Sequence, residues 1–153
     1  MARVASSGHE KDRAIKLDDH LVAELCRPRQ RPPRVLVVDD EPDARTLLKF
    51  ILEPKYQVIT VASATEAREA LENDPEPMNL VLMDLKLDGG EDGVTLTRQL
   101  RGEDRWKEVP IVALTACSTA EDVQNALEAG CDDYIPKPFY RRQLLALIER
   151  LVS

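Results

Sequence analysis

Three carboxylates, a hydroxyl and an amine stand at points of this chain from which they could act together. Asp39 and Asp40 follow the apolar run Val35-Leu36-Val37-Val38, Asp84 follows Leu80-Val81-Leu82-Met83, and Thr115 follows Ile111-Val112-Ala113-Leu114. Lys137 stands farther along, between Pro136 and Pro138. Two carboxylates about 4 Å apart repel by roughly 4 kcal/mol at an effective dielectric near 20, so three at one place call for a shared proton or a cation. All-oxygen ligands on a small rigid rim favour Mg²⁺, which commonly shares its coordination sphere with a phosphate. A carboxylate nucleophile, a divalent cation, a lysine and a hydroxyl are together what formation of an aspartyl phosphate requires. The carboxylate attacks in line, and the cations absorb charge on the phosphoryl oxygens.

Such a set acts only if the chain delivers it to one edge. Short continuous apolar runs bounded by turn signals read as strands buried on both faces of a parallel sheet. In open sheets of this kind, ligands bind at the carboxyl ends of the strands, near the point where strand order reverses. The expected strands are 35–39, 57–61, 79–84, 109–115 and 132–136. A helix over 42–52, begun by Pro42, turns Ala44, Leu47, Leu48, Ile51 and Leu52 inward. Ser63-Ala-Thr-Glu66 has capping-box spacing and opens a helix with Ala67, Ala70 and Leu71 inward. Asp92 caps a helix over 93–101, which Gly102 closes as a left-handed cap. Ser118-Thr-Ala-Glu121 repeats the capping box before a helix that buries Val123, Ala126 and Leu127 and stops at Gly130. Leu144, Leu145, Leu147, Ile148 and Leu151 line the inner face of a last helix. Five strands, each followed by a helix, force parallel pairing with right-handed crossovers: an α/β, doubly wound, five-stranded sheet with five helices.

Bulk properties narrow the function. At 153 residues the chain suits one domain with a proper core. No apolar run approaches the roughly 18 residues of a membrane span, and Met1–Gly8 lacks the apolar stretch of a secretory signal. Cys26, Cys117 and Cys131 are odd in number and widely spaced, which points to a reducing, cytoplasmic setting rather than a disulfide framework or a zinc site. Residues 1–34 carry a charge of +3 and residues 35–153 carry −10, within the total of −7. A domain so acidic is a poor direct ligand for nucleic acid, whose affinity comes mainly from Lys and Arg neutralising phosphates. It suits a cation or a cationic partner surface better.

Residues 1–33 are expected to form an N-terminal extension, with residues 34–153 as the domain. Leu17, Leu21 and Leu25 recur at helical spacing over 17–27, and Pro28 to Pro33 reads as an extended basic linker.

Val35-Leu-Val-Val-Asp-Asp-Glu-Pro42, Val81-Leu-Met-Asp84, Ala113-Leu-Thr-Ala116 and Asp133-Tyr-Ile-Pro-Lys-Pro-Phe139 together resemble the receiver domain of two-component response regulators, over about residues 34–152 and with the family's order and spacing. The resemblance implies a flavodoxin-like fold and a phosphoryl group accepted on Asp84. The donor it implies is a histidine kinase or a histidine phosphotransfer protein. Mg²⁺ would be held by Asp40, Asp84 and the backbone carbonyl of Lys86, with Asp39 acting mainly through water. Lys137 would pair with the phosphoryl group and Thr115 would hydrogen-bond it, while Tyr134 would change rotamer as Thr115 moves. Lys86 and Cys117 match positions that tune how long the phosphoryl group survives, and Lys137–Pro138 matches a bond that is usually cis.

The loop after Asp84 departs from the family pattern. Leu87-Asp88 replaces the usual proline-containing step, and Gly89-Gly-Glu-Asp-Gly93 makes the loop one residue longer. Nothing after Leu151 reads as a DNA-binding or catalytic module, so the expected output is contact with a downstream protein. The expected face is 119–129, 132–136 and 139–151, which could also form a homodimer; neither a membrane nor nucleic acid is an expected partner. Two rivals are weighed. A haloacid-dehalogenase-like phosphatase would place a second Asp two residues after the nucleophile, and position 86 is Lys, so no turnover of external substrates is expected. A phosphorylation-independent interaction module of the same fold would not need the intact Asp–Asp–Asp–Thr–Lys set.

Overall fold

The computed structural model describes residues 31–87, 92–116 and 119–152. The helix expected over 17–27, linker residues 28–30, most of the altered loop after Asp84, Cys117 and Ser118 lie outside the described residues. The elements alternate: β1 (Arg34–Val38), α1 (Pro42–Leu52), β2 (Gln57–Val61), α2 (Ala64–Asn73), β3 (Leu80–Met83), α3 (Gly93–Arg101), β4 (Ile111–Thr115), α4 (Ala120–Ala129), β5 (Asp133–Pro136) and α5 (Arg141–Val152). All four strand pairings are parallel, in the order β2-β1-β3-β4-β5. Strand order reverses between β1 and β3, and Val38 pairs with Met83 there. The next residues on those two strands are Asp39–Asp40 and Asp84, so the reversal point is also where the carboxylates emerge.

Unbroken apolar strands require cover on both faces, and two layers provide it. On one face α1 and α5 pack Leu48, Ile51, Leu52, Leu144 and Ile148 onto Val35, Val37, Leu82 and Leu114. On the other, α2, α3 and α4 set Ala67, Leu71, Leu96, Leu100 and Ala126 against Leu36, Val38, Val81 and Ala113. Every residue of β1, β3 and β4 is buried. β2, at the edge, is only partly covered.

Several expectations shift in detail. β1 stops at Val38 and β3 at Met83, so Asp39 and Asp84 lie just beyond the ladder rather than in it. β4 begins at Ile111, not Val109, because Val109 closes a turn on Trp106 and Pro110 has no N–H to pair. Gly102 is right-handed (φ −82°), since the chain winds on through further turns from Glu103 to Trp106; the left-handed cap is Gly130 (φ 117°). Thr119, not Ser118, caps α4, accepting from the Asp122 N–H at 3.0 Å. Ser63 does cap α2, but Glu66 reaches back to the Ala62 N–H instead of to Ser63 itself. Leu47 and Leu127 were expected inside and are each half exposed. Each lies at the margin of its helix's apolar stripe, and that stripe is wider than the contact with the sheet.

At the end of the sheet away from the carboxylates, Arg101 gathers the loops. Its guanidinium donates to the carbonyls of Gly130 (2.8 Å), Trp106 (3.0 Å), Lys107 (3.1 Å) and Val109 (2.7 Å), and pairs with the Asp132 carboxylate at 2.8 Å. Asp132 in turn accepts from the Ile111 N–H, which fixes the start of β4.

Candidate functional site

The site is built from the carboxyl ends of four strands. Asp39 follows β1, and its backbone N–H donates to Val61 of β2 (3.1 Å). Asp84 follows β3 and donates its N–H to Val38 of β1 (2.9 Å). Lys137 follows β5 and donates its N–H to the carbonyl of Thr115, the last residue of β4 (2.9 Å). The parallel ladder thus holds all three backbones before any side chain takes part. Asp39, Asp84 and Thr115 are buried, with exposures of 1%, 7% and 2%.

The side chains converge as expected. Ligand oxygens of Asp39, Asp40 and Asp84 all lie within 4.8 Å of one another. The Lys137 ammonium lies 2.5 Å from Asp39 Oδ2, 3.4 Å from Asp84 Oδ2 and 3.9 Å from Glu41 Oε1. The second oxygen of each buried carboxylate is held locally: Asp39 Oδ1 accepts from the Glu41 N–H (2.9 Å), and Asp84 Oδ1 from the Lys86 N–H (3.0 Å). These short-range bonds aim the carboxylates, and the ammonium offsets part of their mutual repulsion.

Burial pushes the Asp84 carboxyl above the ordinary carboxylate value, opposed by the Lys86 N–H and the Lys137 charge and reinforced by Asp39. Burial alone would lower the Lys137 ammonium; the hydrogen bond to Asp39 and the charges of Asp84 and Asp39 outweigh it and hold the amine above its usual value. Asp84 is thereby more basic than a solvated carboxylate, and Lys137 stays charged beside it.

The donor set suits Mg²⁺. Ligands on opposite sides of an octahedral Mg²⁺ lie about 4.2 Å apart, so oxygens grouped within 4.8 Å need close only slightly, or admit water, to reach one ion. Both oxygens of Asp39 are already engaged, one by the Glu41 N–H and one by the Lys137 ammonium.

Thr115 borders a cavity of about 110 Å³ together with Lys86, Asp92, Val94, Asp122 and Asn125. Tyr134 pairs with Ala113 across the β4–β5 ladder and packs, partly buried, against the core on the α2–α3–α4 face. The Lys137–Pro138 bond is cis. Cys117 lies outside the described residues.

Three contributors carry little sequence signal. Gly93 opens α3, and a Cβ built there would meet the Asp84 carbonyl oxygen at 2.2 Å; only its place after Asp92 hinted at this. Its N–H donates to the Leu85 carbonyl (3.1 Å), which ties the start of α3 to the segment that follows β3. Glu41 supplies an N–H to Asp39 and a carboxylate toward Lys137. Arg45, one turn into α1, donates from Nη1 to the Asp39 carbonyl at 2.7 Å.

A doubly wound parallel domain with a lysine-crossed acidic rim at its reversal point defines a class of site, and comparison with known proteins places the chain within that class. The response regulator receiver domain model matches residues 35–149, and the chain belongs to that family, the receiver domains of two-component systems. It is 40% identical over 124 residues to the transcriptional regulatory protein AruR of Pseudomonas aeruginosa, covering 78% of this chain and 49% of that protein. It is 38% identical over 120 residues to the phosphate regulon transcriptional regulatory protein PhoB of Escherichia coli, covering 78% and 51%. The chain thus spans about half the length of the curated relatives it matches. Among solved structures it is similar to the receiver domain of the sensor histidine kinase PA1611 from Pseudomonas aeruginosa, which has a magnesium ion coordinated in its active site cleft. There the identity is 34%, the TM-score 0.71, and the coverage 79% of this chain and 98% of that one. No helix among the described residues is long and apolar enough to cross a membrane.

Proposed function

We propose that this domain accepts a phosphoryl group on Asp84 from a phosphohistidine of a histidine kinase or phosphotransfer protein, with Mg²⁺, and signals by protein contact. The observation that carries this reading is the convergence of Asp39, Asp40 and Asp84 around the Lys137 ammonium at the sheet's reversal point. Asp40, Asp84 and the Lys86 carbonyl would hold the metal, with Asp39 acting through water. A bound Mg²⁺ supplies positive charge that eases carboxylate repulsion and neutralises phosphoryl oxygens.

The chain's own residues do the rest. The Asp84 carboxylate, fixed by the Lys86 N–H, forms a bond to phosphorus as the bond to the histidine nitrogen breaks. Lys137 then shifts its pairing from the carboxylates to a phosphoryl oxygen, and the Thr115 hydroxyl donates to another. Tyr134 follows Thr115 inward. The Lys86 side chain, which borders the same cavity as Thr115, obstructs the path of an attacking water, and Cys117 is the second residue proposed to tune the lifetime. Lys86→Ala is expected to shorten the lifetime of the acyl phosphate. Position 86 is Lys, where a haloacid-dehalogenase-like phosphatase would place its acid–base Asp, and this supports a domain that does not turn over external phosphoesters.

The output face proposed is α4–β5–α5, through a downstream protein or a second copy. Val123, Leu127 and Leu147 give it an apolar component, and Leu127 is half exposed. Addition of beryllofluoride and Mg²⁺ should move amide resonances of Thr115, Tyr134 and the 119–151 surface together. Changes confined to Asp84 and its neighbours would remove the proposed output while sparing the acceptor.

A further inference from the structure

α1 begins without the usual restraint. Its N-cap, Glu41, makes no side-chain cap hydrogen bond, although this turn carries the two adjacent carboxylates of the site. The Asp39 side chain binds the Glu41 N–H, and the Asp39 N–H is tied to β2. The peptide joining Asp39 to Asp40 is held by a residue farther on. Arg45 lies one helical turn beyond Glu41, and its backbone N–H donates to the Glu41 carbonyl at 3.1 Å. Side chains on a helix lean toward its N-terminus, and this one reaches back so that Nη1 donates 2.7 Å to the Asp39 carbonyl. That carbonyl belongs to the peptide that sets the direction of Asp40 relative to Asp39.

We propose that Arg45 is a positioning residue for the metal site: its guanidinium locks the Asp39–Asp40 peptide so that the two carboxylates face one divalent cation together. The inference rests on the Mg²⁺ reading above and adds a residue to it. The sign of the effect distinguishes this role from simple electrostatics. A fixed positive charge near an acidic rim opposes a second cation, so if charge were all that Arg45 contributed, removing it would tighten Mg²⁺ binding. If it acts as a clamp, removing it loosens binding, because groups that orient metal ligands typically change affinity by tenfold or more.

The test is Mg²⁺ affinity of the full chain by titration calorimetry, for wild type, Arg45→Ala, Arg45→Met and Arg45→Lys, with the thermal midpoint of each as the folding control. Met keeps the stem without the donor, and the Met–Lys comparison stands if the alanine variant melts. The expected result is Mg²⁺ binding roughly tenfold weaker in the Ala and Met variants and recovered in large part by Lys, which can still donate to the carbonyl. Equal or tighter binding in Arg45→Met, with a wild-type midpoint, overturns the inference and leaves the metal reading intact. Absence of Mg²⁺ binding in the wild type overturns the metal reading, and the clamp with it.

Discussion

The α-carbon of Gly93 lies against the backbone of Asp84 so closely that a methyl group there would meet the Asp84 carbonyl oxygen at 2.2 Å and the Leu85 α-carbon at 2.9 Å. The start of α3 thus sits directly on the backbone that follows β3, and glycine alone permits that approach. The obstruction is backbone, so neither side can yield cheaply. Gly93→Ala is expected to cost about 1–3 kcal/mol in urea unfolding. It should also displace the amide resonances of Asp84 and Leu85, whereas Gly102→Ala, whose nearest neighbour is 3.4 Å away, leaves both measurements nearly unchanged.

Arg101 should matter more than any exposed ion pair. Its side chain is 18% exposed and satisfies four backbone carbonyls as well as Asp132. Arg101→Ala strands those acceptors and is expected to cost about 2–3 kcal/mol. Lys55 and Glu149 are 61% and 68% exposed and 3.7 Å apart, so Lys55→Ala should change stability by well under about 1 kcal/mol. Denaturant midpoints of the two variants check the contrast.

Acid stability should depend on Asp74. Its hydrogen bond with the Arg34 guanidinium, then the Glu76 N–H, hold its carboxyl below the ordinary 3.8. The contribution is therefore complete above pH 3.8 and is lost as pH falls through the lowered folded value. Asp74→Asn removes it. The variant should be less stable than wild type at neutral pH, with the gap closing below pH 3.8, as read from urea midpoints across that range.

Alkaline stability should depend on Cys131. Burial pushes its thiol from 9.0 up to about 11, with Thr97 and Arg101 opposing and Asp132 assisting. The neutral thiol is the form the fold prefers, so its contribution is intact below pH 9.0 and disappears as pH rises to about 11. Two units correspond to about 2–3 kcal/mol. Tyr56, also raised by burial and then by Glu149, titrates in both proteins. The difference between wild type and Cys131→Ala therefore isolates the thiol, and it should narrow across this interval.

The strands were legible because a sheet covered on both faces demands unbroken apolar runs, and the residue that ends each run is then placed at the rim by register alone. Asp39, Asp84 and Thr115 were readable on that basis; Lys137 follows Asp133–Pro136, which is no such run, and its role came from the motif around it. Arg34 with Asp74, and Arg101 with Gly130 and Asp132, were not, since partners 29–40 residues apart leave no periodic trace. Helix faces were overread at Leu47 and Leu127, where an apolar residue lies beside the buried stripe rather than in it. Gly102 and Gly130 look alike as helix stops. Only the path of the chain afterwards, onward through turns in one case and sharply into β5 in the other, decides which is left-handed. Arg45 was invisible because its partner is a backbone carbonyl six residues earlier, for which side-chain type gives no cue.

The most direct measurement is intact-mass analysis of the full chain after incubation with a small acyl phosphate donor and Mg²⁺, with reductive trapping to locate the adduct. One phosphoryl group on Asp84, absent without Mg²⁺ and absent from Asp84→Asn, is the expected result. No adduct on the wild type, or an equal adduct on Asp84→Asn, would contradict the assignment of Asp84 as the acceptor.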